Sequence, residues 1–98
     1  MKSILEAVGL PAMLEQTAEE CVELAHACLK YARYLRGENP TPKTETECIR
    51  AIHEEMADVS LCVEIMRYHD ASFLDDDRLD GIMNEKLERW KNRLRKED

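Results

Sequence analysis

Glycine is scarce, with only Gly9, Gly37 and Gly81 in 98 residues. They do not cluster, so there is no glycine-rich loop whose backbone N–H groups would cradle phosphate. Long apolar runs are missing as well, and no stretch approaches the roughly 20 residues needed to cross a bilayer. A membrane partner is therefore not expected. There is no CxxC pair, and no secretory leader is expected from the N-terminal residues. Cys21, Cys28, Cys48 and Cys62 fall along helical stripes instead, and are read as reduced, mostly buried thiols of a cytoplasmic protein rather than as zinc ligands. Bases are in deficit, 14 against 21 acids, for a net charge of −7. Such a chain lacks the basic surface that displaces counterions from a nucleic acid, and an anionic substrate would need a metal ion between itself and the protein. Nucleophilic catalysis finds no support, because Ser3, Ser60 and Ser72 lie in no elbow-like turn.

Strand-period stretches, internal repeats and low-complexity tracts are also absent, which leaves helix. Met1 to Gly9 reads as a short apolar helical arm through Ile4, Leu5 and Val8, ended by Gly9, with Pro11 at the next helix start. From Pro11 to Arg36, Leu14, Ala18, Cys21, Ala25, Cys28, Ala32 and Leu35 recur at helical spacing and predict the apolar side of a long helix. Gly37 ends it, and the turn-rich loop Gly37 to Lys43 follows. Thr44 or Thr46 then caps a helix running to His69, Thr44 being followed by Glu47 in a capping-box pattern. After a break at Asp70 to Leu74, Asp75, Asp76 and Asp77 suit the N-terminus of a last helix. That helix runs to Lys96, with an apolar face of Leu79, Ile82, Met83, Leu87, Trp90 and Leu94. The expected fold is a single all-α domain over residues 1–98, an antiparallel bundle of about four helices. A lone chain of this length buries only roughly 60–70% of its unfolded surface, so oligomerisation is expected to complete the core.

The chemistry lies in two acidic pairs. At about 100° per residue, Glu55 and Asp58 share a side with Cys48, Ala51, Ile52, Val59, Cys62 and Met66, while His53, Ser60, Glu64 and Arg67 occupy the opposite face. Two carboxylates therefore interrupt an apolar stripe, and neither has a basic residue three or four positions away. Burying them uncompensated costs several kcal/mol each or forces their protonation, and a divalent cation would remedy this. On the preceding helix Glu19, Glu20 and Glu23 share an arc opposite the predicted apolar stripe, with Gln16, His26 and Lys30 nearby. If the two helices pack antiparallel, a pair from each converges, and four oxygen donors suit magnesium or manganese. A di-metal carboxylate bundle is an alternative. It finds one Glu-x-x-His motif in Glu23 to His26, but Asp58 stands where the second histidine is required. A non-catalytic helical assembly or regulatory protein is another.

With Glu19-Glu20-x-x-Glu23 on one helix and Glu55-x-x-Asp58 on the next, the chain resembles the MazG-like all-α nucleoside triphosphate pyrophosphohydrolases over about Glu15 to Arg93. The resemblance implies magnesium held by Glu20, Glu23, Glu55 and Asp58, with Glu19 or Glu20 orienting the attacking water. It further implies cleavage of a nucleotide substrate between its α and β phosphorus atoms, with Lys86 and Arg89 of the last helix against phosphate. It implies a homodimer or homotetramer. Trp90 departs from the family, standing where some members carry a further basic residue, and is read as a core or subunit contact, with contact to a nucleobase as the alternative.

Overall fold

A computed structural model of the chain describes residues 2–38, 43–69 and 73–97. Most of the expected Gly37–Lys43 loop, part of the break before the last helix and Ser72 lie outside the described residues. Four helices and no strand make up the described chain: α1 (Ile4–Val8), α2 (Leu10–Arg36), α3 (Glu45–Arg67) and α4 (Asp76–Glu97). The all-α expectation holds, with the boundaries of α2, α3 and α4 within two residues of those read from the sequence and α1 beginning at Ile4, not Met1.

Each boundary has a local cause. Ser3 Oγ accepts from the Glu6 N–H at 3.1 Å and the Glu6 carboxylate accepts from the Ser3 N–H, a reciprocal cap on α1. Gly9 turns the chain between α1 and α2 at φ 87°, a region that L side chains enter only with strain. Gly37, at φ 71°, ends α2 in the left-handed conformation, its N–H donating to the Tyr34 carbonyl. Thr44, not Thr46, caps α3, accepting from the Glu47 N–H at 3.2 Å. Thr44→Ala should lower stability by about 1 kcal/mol, measured by urea unfolding; no change would mean that water satisfies this helix end equally well. Asp75 accepts from the Arg78 N–H at 3.1 Å, so the aspartate run caps α4 as expected.

α2 and α3 pack antiparallel. At one end the Tyr31 hydroxyl donates to Glu45 at 2.9 Å. At the other, Met13 of α2 meets Cys62 and Met66 of α3 in a cluster closed by Leu5 of α1, Ile65 and Leu74. The face of α3 is the predicted one: Cys48, Cys62 and Met66 are buried, and Ala51, Ile52, Glu55 and Val59 half-buried. The face of α2 is not. Met13, Thr17, Glu20, Leu24, Ala27 and Tyr31 turn toward α3, whereas Leu14, Ala18, Cys21, Ala25, Cys28 and Leu35 of the predicted stripe are exposed. The inward face lies about 100° round the helix from the predicted one, so the expectation of mostly buried cysteines holds for Cys48 and Cys62 and fails for Cys21 and Cys28. α4 packs on none of the other three helices. Its first residue is tied to α3 by an ion pair from Arg67 to Asp76, and beyond it the predicted apolar face is open, with Leu87 48% and Trp90 61% exposed.

Candidate metal centre

The rotation of α2 brings the acids together. Because Glu20 belongs to the face turned toward α3, it meets the Glu55 and Asp58 that interrupt the α3 stripe. One carboxylate oxygen from each of Glu20, Glu55 and Asp58 lies within 4.8 Å of the others. Glu20 and Glu55 are half-buried and Asp58 is exposed. Gln16, one turn before Glu20, donates its side-chain amide to Glu20 Oε1 at 2.7 Å and holds that carboxylate by the i,i+4 geometry of the helix.

Electrostatics marks Glu55 as the centre of the group. Its carboxyl is held above the ordinary glutamate range, chiefly by loss of solvent and then by Asp58, Glu23, Glu20 and Glu54 in turn. Every charged side chain that contributes to this shift is itself acidic. Converging like charges raise the energy of the ionised state, and a divalent ion would relieve it. The ion pairs among Glu64, Arg67 and Asp76, and between Lys91 and Glu88, lie elsewhere.

Two clefts flank the carboxylates. A groove of about 360 Å³ is walled by Ile4 and Val8 of α1, Met13, Leu61 and Ile65, with Glu20 and Asp58 at its polar edge. A smaller one of about 240 Å³ is charged and is lined by Glu23, His26, Lys30, Lys43, Glu54 and Glu55. The expected ligands thus divide: Glu20, Glu55 and Asp58 form one cluster, and Glu23 stands in the second cleft beside Glu55. Glu19 is exposed and is not among the groups that shift Glu55. Lys86 and Arg89 sit on α4, which beyond its Asp76 ion pair with Arg67 packs on neither α2 nor α3, so one chain alone does not bring them to the carboxylates. Of the histidines, His26 lines the charged cleft, His53 is exposed, and His69 meets Phe73 edge-on at 5.6 Å. The sequence reading passed over Glu54 and the apolar wall from α1. Glu54 was legible as the acidic neighbour of Glu55, but the approach of α1 had no local signal.

No protein family model, no curated protein and no solved structure matches this chain.

Proposed function

We propose that this chain is a magnesium-dependent nucleoside triphosphate pyrophosphohydrolase of MazG-like type, acting as a homo-oligomer on a deoxynucleotide or non-canonical nucleotide. The products are the monophosphate and pyrophosphate. One observation carries the reading: the Glu20, Glu55 and Asp58 oxygens gathered within 4.8 Å between two packed helices, with Glu55 raised by loss of solvent and by its acidic neighbours. An all-carboxylate set fits the hard cations magnesium and manganese, and lacks the nitrogen and sulfur donors that zinc favours.

Glu20, Glu55 and Asp58 are the ligands in this reading. Glu23 stands ready on the charged side, and Gln16 fixes the Glu20 oxygen by its 2.7 Å hydrogen bond. Magnesium held there would neutralise phosphate charge and polarise the phosphoryl group, leaving its phosphorus open to attack by water. Glu19, exposed one residue before Glu20, orients that water through its carboxylate. Ile4, Val8, Met13 and Leu61 present an apolar wall against which an uncharged nucleobase can lie, and Lys86 and Arg89 supply positive charge for phosphate.

Pyrophosphate release from a panel of canonical and modified nucleoside triphosphates tests the reading. Release with magnesium should fall to background with chelator. Folded protein that releases none from any triphosphate would overturn it and favour a non-catalytic assembly protein, the reading to which the open apolar faces of α2 and α4 otherwise lend themselves.

A further inference from the structure

The surface of this chain is too large for a finished monomer. It exposes 8081 Å² at 11.4 kDa, against about 5,800 Å² for a folded monomer of that mass. Two copies would carry an excess of about 4,600 Å², inside the range of about 2,000–5,000 Å² that obligate homodimers bury. The excess is apolar in two places: the outward face of α2, where Val22 is 54% and Leu29 53% exposed, and the length of α4.

These two faces match in length, spacing and charge. Leu14 to Leu29 on α2 and Leu79 to Leu94 on α4 each span 16 residues, or about 22 Å of helix between the end leucines. Along α2, Leu14, Ala18, Cys21 and Ala25 recur at steps of four, three and four. Read backward, Leu94, Trp90, Leu87 and Met83 recur at the same steps. An antiparallel alignment therefore sets Trp90 against Ala18 and Met83 against Ala25, large side chains over small ones. Charge fixes the same direction. In this register Glu15 and Glu19 near the start of α2 fall opposite Arg93 and Arg89 of α4. Arg33 near the other end of α2 falls opposite Asp75 at the start of α4. Antiparallel macrodipoles add to the attraction.

The chain cannot make this arrangement with its own α4. α3 runs back along α2 and ends at Arg67 beside the start of α2, where Met66 meets Met13. A fold-back of α4 along its own bundle would run parallel to α2 and press Asp77 and Asp80 toward Glu15 and Glu19, acid on acid. We infer that α4 of one copy lies antiparallel on the outward apolar face of α2 of a second copy, so that the bundle is completed between chains. In this register Lys86 falls beside Val22 and Arg89 beside Glu19 of the second copy. Arg89 thereby reaches Glu19 of the second copy, next in sequence to the Glu20 of its carboxylate cluster. The pairing itself rests on surface and charge, and only the role of Lys86 and Arg89 against phosphate rests on the proposed function.

Three native reporters test the pairing without any substrate. Light scattering should give twice the chain mass. Trp90, the single tryptophan, should emit as a buried indole. Cys21 and Cys28, free and exposed in the single chain, should resist a thiol reagent. Leu87→Asp should halve the mass, shift the Trp90 emission to the red and expose both thiols. Mild oxidation of Leu87→Cys should give a covalent dimer, lost when Cys21→Ser is added and kept with Cys28→Ser. A monomeric wild type, or a cross-link that survives Cys21→Ser, would overturn the inference. A dimer with these properties that hydrolyses no nucleotide would leave the inference standing and sink only the proposed function.

Discussion

Glu55→Gln combined with Asp58→Asn should abolish magnesium-dependent pyrophosphate release while leaving the fold intact. The expected loss is roughly a hundredfold or more, since disturbing even the groups that merely support metal ligands typically costs about 10–100-fold. These side chains supply two of the three oxygens gathered within 4.8 Å, and their amide replacements keep the shape but surrender the charge. Melting should change in the opposite sense. Without metal the variant should melt higher than the wild type, because the acids crowding Glu55 no longer repel it, and the rise in melting temperature that magnesium gives the wild type should vanish. Glu64→Gln, on the exposed side of α3, should leave hydrolysis unchanged. Undiminished hydrolysis by the double variant would remove the carboxylates from the chemistry.

The same crowding sets a pH dependence. Glu55 is raised above its ordinary value of 4.5, so the folded chain holds its proton more tightly than the unfolded chain does. The resulting stability is fully present below 4.5 and is lost as pH rises through the higher folded value. Metal-free protein should therefore melt at a higher temperature in mild acid than at neutral pH, as far as this group governs it. Magnesium should reverse the trend, since only the deprotonated carboxylate is a ligand, and Glu55→Gln should flatten it. An identical pH profile for the metal-free wild type and Glu55→Gln would mean that Glu55 does not feel its neighbours.

How much was legible in the sequence differs from helix to helix. On α3 the apolar stripe was continuous enough that Glu55 and Asp58 stood out as intruders; Glu55 is half-buried as that implies, whereas Asp58 is exposed. On α2 the apolar residues Leu14, Ala18, Cys21 and Ala25 formed the stronger stripe, yet they face outward. The face toward α3 contains Thr17, Glu20 and Tyr31 beside Met13 and Ala27, and the polar ones find partners: Thr17 donates to the Met13 carbonyl at 2.7 Å, Glu20 accepts from Gln16, and Tyr31 donates to Glu45. Periodicity records hydrophobicity and not such partners, so it ranked the two faces in the wrong order. It could not have separated them, because a helix with two usable faces does not state which neighbour takes which. That ambiguity was also an opportunity. Reading Glu20 as opposite the apolar side understated the convergence of the carboxylates, and the surplus stripe is the surface that α4 of a second copy fits. On α4 the apolar face was legible residue by residue, but a single chain supplies nothing to cover it.

Met66→Ala is expected to be the most destabilising single change in the chain, at about 2–5 kcal/mol. Among the described residues only Met13, Ala27, Cys48, Cys62 and Met66 are buried hydrophobics. A domain of this size has a total stability on the order of 5–15 kcal/mol, so a cavity at Met66 removes a large share of what holds α1, α2 and α3 together. Its side chain touches the cluster of Met13 and Cys62, and its sulfur lies 3.8 Å from the Thr17 hydroxyl; truncation empties all these contacts at once. Met66→Leu keeps the volume and should cost less than about 1.5 kcal/mol. Urea unfolding followed by circular dichroism separates the two, and a loss below about 1 kcal/mol for the alanine variant would show that the helices are held elsewhere. Hydrolysis per folded molecule should stay within a few-fold of wild type below the unfolding transition. The carboxylates are clamped from both sides, by the Met13–Cys62–Met66 cluster toward one end and by buried Ala27 and Cys48 toward the other. Weakening one clamp makes the fold easier to open, while the remaining one still sets the spacing of Glu20 against Glu55.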